Sequence, residues 1–304
     1  MPQATLRLAS ILLLGLGLST AARADILVLS SGNNRLVRFT DSGAFVSSTD
    51  LGSGSQLSDI EVDSLGNHYI SRNSGLITKY DSSLAVVGSF GSISSHYGLG
   101  IDAADRIHAA GSGLDQVQVT NASGSLLETY GRNPGNYRDV AFVGTERWVT
   151  SFGSPGVQVF DASGTYQRTI ATGLGPFGIS EAIGGGAWVL RQDSHDVHRI
   201  DASGSIVFSF NADSAPLPPT VGQVRYIEAD AFGRVLVSAY ASNRVDVFNS
   251  GGVFQFSLSQ GLSRPTGVFA ARPTFAAVPE PATLAAAVFG VVAGAWAVRR
   301  RRSS

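Results

Sequence analysis

The chain has 304 residues, 22 Lys+Arg against 23 Asp+Glu, and no cysteine. The missing cysteine excludes disulfides, cysteine-based zinc sites and cysteine nucleophiles. A balance of charge this close to neutral gives no electrostatic reason to seek nucleic acid.

The first 24 residues read as a secretory signal peptide. Arg7 supplies the positive start, residues 8–18 form an apolar core of 11 residues, and Ala22-Arg23-Ala24 is a small-x-small cleavage signature. An apolar core of that length is too short to span a bilayer comfortably, so cleavage is predicted after Ala24. Removing 1–24 and 280–304 takes away six arginines and Glu280, leaving 16 basic and 22 acidic side chains and a net charge of −6. Without disulfides the exported part must rely on a hydrophobic core, and about 255 residues are ample for one.

From residue 41 the chain repeats itself. Asp41-Ser42-Gly43, Asp81-Ser82-Ser83, Asn121-Ala122-Ser123-Gly124, Asp161-Ala162-Ser163-Gly164 and Asp201-Ala202-Ser203-Gly204 recur every 40 residues, and Asn249-Ser250-Gly251 follows 48 later. A fixed period of this size means a propeller or a solenoid. Asp or Asn in such a turn bonds the backbone two residues on, and Gly accepts a positive φ. Each turn joins two β-like runs, 35–39 to 44–46, 76–80 to 84–87, 116–119 to 125–127, 156–160 to 165–167, 197–200 to 205–210 and 244–248 to 253–256. Val157-Gln158-Val159-Phe160 and Val245-Asp246-Val247-Phe248 show the period-2 alternation of a half-buried strand.

Two more strands complete each unit. An inner group falls at 60–63, 99–102, 140–143, 179–182 and 227–230, and a second group at 67–71, 107–110, 148–151, 187–190 and 235–239. Asp63-Ser64-Leu65-Gly66 and Asp230-Ala231-Phe232-Gly233 link the two groups as tight turns. The first unit starts at a second-position strand, 26–29, and the last ends in an orphan inner strand, 265–270. Joining them closes a sixth blade from both termini and removes free sheet edges. The predicted fold is therefore all-β, a six-bladed β-propeller over 25–271 closed by its C-terminal strand. A β-sandwich is the competing fold, disfavoured by the strict period. The repeats resemble those of NHL propellers. Asn34-Arg35-Leu36-Val37-Arg38-Phe39 and Asn243-Arg244-Val245-Asp246-Val247-Phe248 match that family's Asn-Arg-Val-x-x-Phe strand, although Val143 and Ala182 stand where the family has Asp.

Two loop sets build one face of such a ring, one within blades and one between them. The between-blade loops are read at 50–59, 90–98, 129–139, 172–178, 211–226 and 259–267. Aromatics and arginines there can hold a sugar, a peptide or an acidic group. The ligand-binding candidates are Arg72, Tyr97, Arg138, Asp139, Arg191, Arg225 and Tyr226. The implied role is a binding module for an extracellular polysaccharide or protein partner, with no cofactor and no catalytic residue assigned.

A metal-dependent hydrolase or lyase, lactonase-like, is the alternative. Its metal ligands would come from Glu61, Asp63, Asp102 and Asp230, or from Asp193, His195, Asp196 and His198. Aspartates of the first kind also brace turns, and the second set also makes a solvated loop. His68 and His108 sit one residue out of register in equivalent strands and do not share a metal. Gly173-Leu174-Gly175-Pro176-Phe177-Gly178 spells a dinucleotide fingerprint, but it links two β-blades and opens no helix.

After a linker at 272–278 the chain ends in Pro279-Glu280-Pro281, an uncharged run of 17 residues at 282–298, and Arg299-Arg300-Arg301-Arg302. A helix of that length covers about 25 Å, at the short end of what crosses a bilayer. The arginines stay on the cytoplasmic side. This three-part tail resembles the PEP-CTERM sorting signals of bacteria. The resemblance implies a single C-terminal transmembrane helix, export to the cell envelope, and an exosortase-type enzyme that processes the chain near Pro279-Glu280-Pro281.

Overall fold

The computed structural model describes residues 25–54, 56–91, 96–112, 115–214 and 223–270. The predicted signal peptide (1–24), linker and tail (272–304) lie outside them. No helix among the described residues is long and apolar enough to cross a membrane.

The strands are β1 (Asp25–Ser30), β2 (Arg35–Thr40), β3 (Phe45–Asp50), β4 (Leu57–Val62), β5 (His68–Arg72), β6 (Ile77–Tyr80), β7 (Val86–Phe90) and β8 (His96–Ile101). They continue with β9 (Ile107–Gly111), β10 (Gln116–Thr120), β11 (Leu126–Tyr130), β12 (Tyr137–Val143), β13 (Glu146–Ser151), β14 (Gly156–Phe160), β15 (Tyr166–Ala171) and β16 (Pro176–Glu181). The last are β17 (Ala187–Arg191), β18 (Asp196–Ile200), β19 (Ile206–Asn211), β20 (Val224–Ala229), β21 (Val235–Ala239), β22 (Arg244–Phe248), β23 (Phe254–Leu258) and β24 (Pro265–Ala270). They form six antiparallel four-stranded sheets, five of consecutive strands and one ordered β24-β1-β2-β3. Blade 1 is thus closed by both ends of the ring, with Ile26 opposite Ala270 and Val28 opposite Val268.

The core is the set of faces between neighbouring blades. Trp148, fully buried, packs with Val159, Ile179 and Val189 between blades 4 and 5. Val268 of β24 packs with Ile26, Val28, Val245 and Leu258 between blades 1 and 6. The period-40 turns join the third and fourth strands as read. In four of them the Asp81, Asn121, Asp161 and Asp201 Oδ1 atoms accept two backbone N–H groups each at 2.9–3.1 Å.

One regular feature departs from simple alternation. In all six blades the inner strand carries a register shift against its neighbour, between Leu57 and Ile60 in blade 2 and at the matching place elsewhere. Such a bulge adds a residue and re-aims the side chains on it. As a result the inner strands begin up to three residues before the points predicted. Tyr97, Arg138, Asp139, Arg225 and Tyr226, read as loop residues, belong to the first halves of β8, β12 and β20.

Candidate functional site

The bulges define the channel. Residues 58 and 59 of blade 2 sit on the bulge, and their counterparts are 97 and 98, 138 and 139, 177 and 178, 225 and 226, and 266 and 267. The second member of each pair reads Asp59, Gly98, Asp139, Gly178, Tyr226 and Gly267 in blade order. Asp59 and Asp139 are nearly fully buried, at 5% and 4% exposure. Each reaches to the next blade: Asp59 Oδ2 accepts Leu99 N at 2.8 Å, and Asp139 Oδ2 accepts Ile179 N at 2.9 Å. Asp139 Oδ1 also accepts Val140 N at 2.9 Å. These bonds satisfy N–H groups on the inner edges of blades 3 and 5, where no further strand pairs.

The glycines between them leave the necessary space. A Cβ at Gly98 would lie 2.3 Å from Asp139 Oδ1 and 2.5 Å from Arg138 O, and one at Gly267 would lie 2.6 Å from Asp59. Gly98→Ala is expected to lower stability by about 1–3 kcal/mol through overpacking, read as a drop in melting temperature. Burial pushes the Asp59 carboxyl up to about 7, with the Glu228 charge adding to the rise and N–H bonds from Leu99 and Ile60 opposing it. Burial also raises Asp139 well above the carboxylate range, and the charges of Asp59 and Glu61 add to it.

Below this ring the channel widens into a cavity of about 530 Å³, lined by Glu61, Ser180, Glu181, Glu228, Phe142 and Phe269 among others. Asp63, Asp102 and Asp230, offered above as metal ligands, brace the inner turns. Their Oδ1 atoms each accept two backbone N–H groups at 2.8–3.0 Å. The second oxygens bond Asn67, Arg106 and Arg234. In the Asp193–His198 segment, His195 Nδ1 meets Asp213 Oδ2 at 3.0 Å, Asp196 Oδ2 takes Arg191 Nη1 at 3.1 Å, and His198 Nδ1 meets Ser209 Oγ at 2.7 Å. No group of three or more His, Cys, Asp or Glu that could hold a metal ion occurs among the described residues.

Sequence reasoning set His108 aside as a metal ligand and assigned it no other role. It is fully buried, with Nε2 3.2 Å from Asp102 Oδ2, Nδ1 3.1 Å from Tyr130 Oη and Phe142 edge-on at 4.8 Å. Its counterpart in blade 2 is Tyr69, whose hydroxyl donates to Asp63 at 3.0 Å. The shared Asp-to-ring spacing of six residues, 63 to 69 and 102 to 108, was the available signal.

The upper mouth, built by the loops within and between blades, gathers some of the predicted residues. The Arg138 guanidinium lies over Phe152 at 4.9 Å and Phe177 at 5.6 Å. Phe177 in turn packs edge-on against Tyr226 at 5.6 Å, and Tyr226 is buried. Arg225 stacks on Tyr240 at 4.1 Å and donates to Gln223 Oε1 at 3.0 Å. Tyr240 Oη accepts Gln56 Nε2. Gln56 Oε1 accepts Asn73 Nδ2 at 2.9 Å, and Asn73 Oδ1 accepts Ser58 Oγ at 2.6 Å. A polar chain thus crosses the mouth from blade 2 to blade 6. Arg72 is buried and donates to Leu51 O at 3.0 Å. Arg191 is tied to Leu174 O at 2.9 Å and to Asp196 Oδ2 at 3.1 Å. Tyr97 lies in β8, and its side chain is outside the described residues.

Similar architectures occur among solved structures. A protein of unknown function from Bacteroides caccae is 14% identical, with a TM-score of 0.69, covering 83% of this chain and 100% of that one. A virginiamycin B lyase from Staphylococcus aureus is 14% identical, with a TM-score of 0.61, covering 83% and 89%. A chain of a nidogen/laminin complex is 12% identical, with a TM-score of 0.66, covering 81% and 97%. At such identities these share the fold alone. No curated protein sequence matches the chain. Residues 277–302 match the PEP-CTERM protein-sorting motif. The protein is a six-bladed β-propeller bearing a PEP-CTERM sorting signal, which implies export, sorting to the envelope and processing by an exosortase.

Proposed function

We propose that the propeller is an envelope binding module that holds an acidic segment of an extracellular polysaccharide at its upper mouth. The supporting observation is the pair of arginine–aromatic stacks there, Arg138 on Phe152 and Phe177, and Arg225 on Tyr240. Stacking fixes a guanidinium in orientation, and a guanidinium so held recognises carboxylate or sulfate oxygens through its N–H groups. The Gln56–Asn73–Ser58 chain suits sugar hydroxyls. The NHL-like strands and the predicted signal peptide fit an exported scaffold that varies its loops on a rigid ring.

Titration calorimetry with acidic and neutral bacterial polysaccharides tests this. Acidic chains are expected to bind with strong salt dependence, and Arg225→Ala to weaken binding about tenfold, the loss of one charge-assisted contact of about 1.5 kcal/mol. Binding that is equal for neutral chains and indifferent to salt rejects the reading. The lyase of similar architecture gives the enzyme reading its own check. Stoichiometric divalent metal, together with lactone or ester turnover, would replace a binding module by a catalyst.

A further inference from the structure

The lower face carries an anomaly that the upper mouth does not use. The inner hairpin turns there expose large apolar side chains: Leu65 at 79%, Ile183 at 57% and Phe232 at 63%. Turns of this kind favour Asp, Asn, Ser and Gly. Leu65 and Phe232 hold the third place of equivalent turns, in blades 2 and 6, and Ile183 the second place of the turn in blade 5. The Ile183 and Phe232 turns adjoin, since Ile183 Cδ1 lies 3.9 Å from where a Gly233 Cβ would sit. Blade 3 exposes Ala103 and Ala104 in its inner turn. Large apolar side chains thus project from three of the inner turns around the lower channel mouth, while the carboxylates of Glu61, Asp63, Asp102, Asp105, Glu181 and Glu228 line the cavity inside it.

The chain leaves the ring on this same face. Inner strands run from the upper to the lower face, and β24 ends at Ala270, which lines the lower cavity with Phe269 and Gly66. Its blade lies between blades 6 and 2, so Phe232 and Leu65 flank the exit on either side. Residues 271–281 separate Ala270 from the apolar run at 282–298. Fully extended, eleven residues reach about 40 Å, so an inserted tail holds the lower face close to the bilayer. Further out, the turns between third and fourth strands are polar, with Asp81, Asp161 and Asp201 at their tips.

We propose that the lower face rests on the lipid bilayer before processing, with Leu65, Ile183 and Phe232 in the interfacial zone. This rests on the reading of 282–298 as a membrane span. The outer ring of aspartates confines the apolar contact to the turns around the channel and makes zwitterionic lipid the better surface. Docking in this way turns the upper mouth outward. Processing at the sorting motif removes the tether and leaves only three shallow side chains, so release from the surface follows.

The absence of cysteine makes the test direct. Single variants Leu65→Cys, Ile183→Cys and Phe232→Cys, and an upper-face control Leu174→Cys (68% exposed in the parent), are labelled with an environment-sensitive fluorophore in the full chain. The chain is reconstituted in phosphatidylcholine vesicles containing lipid with a quencher on the acyl chain. Several-fold stronger quenching at the three lower positions than at 174 is expected. Equal quenching on both faces of a chain that co-floats with vesicles overturns the docking proposal alone. A chain that does not co-float overturns the membrane span, and the proposal with it. Lower positions that are shielded but unquenched mean a protein occupant, a second copy or the tail folded back, and overturn the lipid assignment.

Discussion

A chain that stops after Arg264 will show no cooperative melting transition, whereas one that stops after Ala271 will melt as the full chain does. The first loses only β24 from the ring, yet β24 supplies the inner strand of blade 1 through its pairing with β1. It also seals both neighbouring blades. Val268 packs with Val245 and Leu258 on the blade 6 side. On the blade 2 side the Thr266 hydroxyl donates to Leu57 O at 3.3 Å, and Gly267 lies against Asp59. Without β24 an apolar face opens on each side of the gap, and the inner edge of β1 is left unpaired. Each Val or Leu returned to water costs about 1.5–3 kcal/mol. Several such losses match the whole stability of a typical domain, about 5–15 kcal/mol. The second truncation leaves every described strand in place. Circular dichroism melts decide the matter. A single sharp transition near the parent melting temperature in the shorter chain would show that the closure is not what holds the ring.

The ring was legible because its signals are local and repeated. The Asp-Ser-Gly turns at 40-residue spacing and the alternation in 157–160 and 245–248 gave the blade, and the unpaired inner strand at 265–270 gave the count of six. The first halves of the inner strands were not legible. The bulge at residues 58–59 and its five counterparts breaks the period-2 pattern, so the strands seemed to begin at Ile60, Leu99, Val140, Ile179 and Ile227. That error moved Asp139 and Tyr226 from a buried ring to an exposed loop. The contacts that order the upper mouth escape sequence reading for a different reason. Gln56 and Tyr240 are 184 residues apart and meet only because the ring closes. Likewise the alternation of Asp59, Gly98, Asp139, Gly178, Tyr226 and Gly267 has meaning only when neighbouring blades are set side by side.

That alternation gives the ring a dependence on pH, and Asp59→Asn is expected to reverse part of it. In the folded protein burial raises Asp59 to about 7, whereas in the unfolded chain its carboxyl titrates at its ordinary value of 3.8. Between those values the folded state holds a proton that the unfolded state has lost, so stability rises as pH falls and is lost as pH climbs through about 7. A difference of about three units corresponds to an order of 4 kcal/mol. His108 works the other way. Burial lowers its folded value to about 4 from 6.5, with Arg147 and Arg106 lowering it further and Asp102 opposing them. The unfolded chain therefore binds that proton first, and stability falls as pH drops from 6.5 toward 4. In the parent the two effects offset each other over that range and leave a loss above it.

Asparagine keeps the side-chain oxygen that accepts Leu99 N and carries no charge. The variant should exceed the parent in stability at pH 8 by a few kcal/mol, with the gain shrinking to nothing near pH 4. Its own profile should decline on acidification, because His108 then acts unopposed. The same substitution removes the charge that helps raise Asp139, which adds to the gain at high pH. Calorimetric melts of both proteins from pH 4 to 8 measure the difference directly. A gap that stays constant across that range would mean that Asp59 does not titrate inside the ring, and the buried carboxylates would then be structural at every pH.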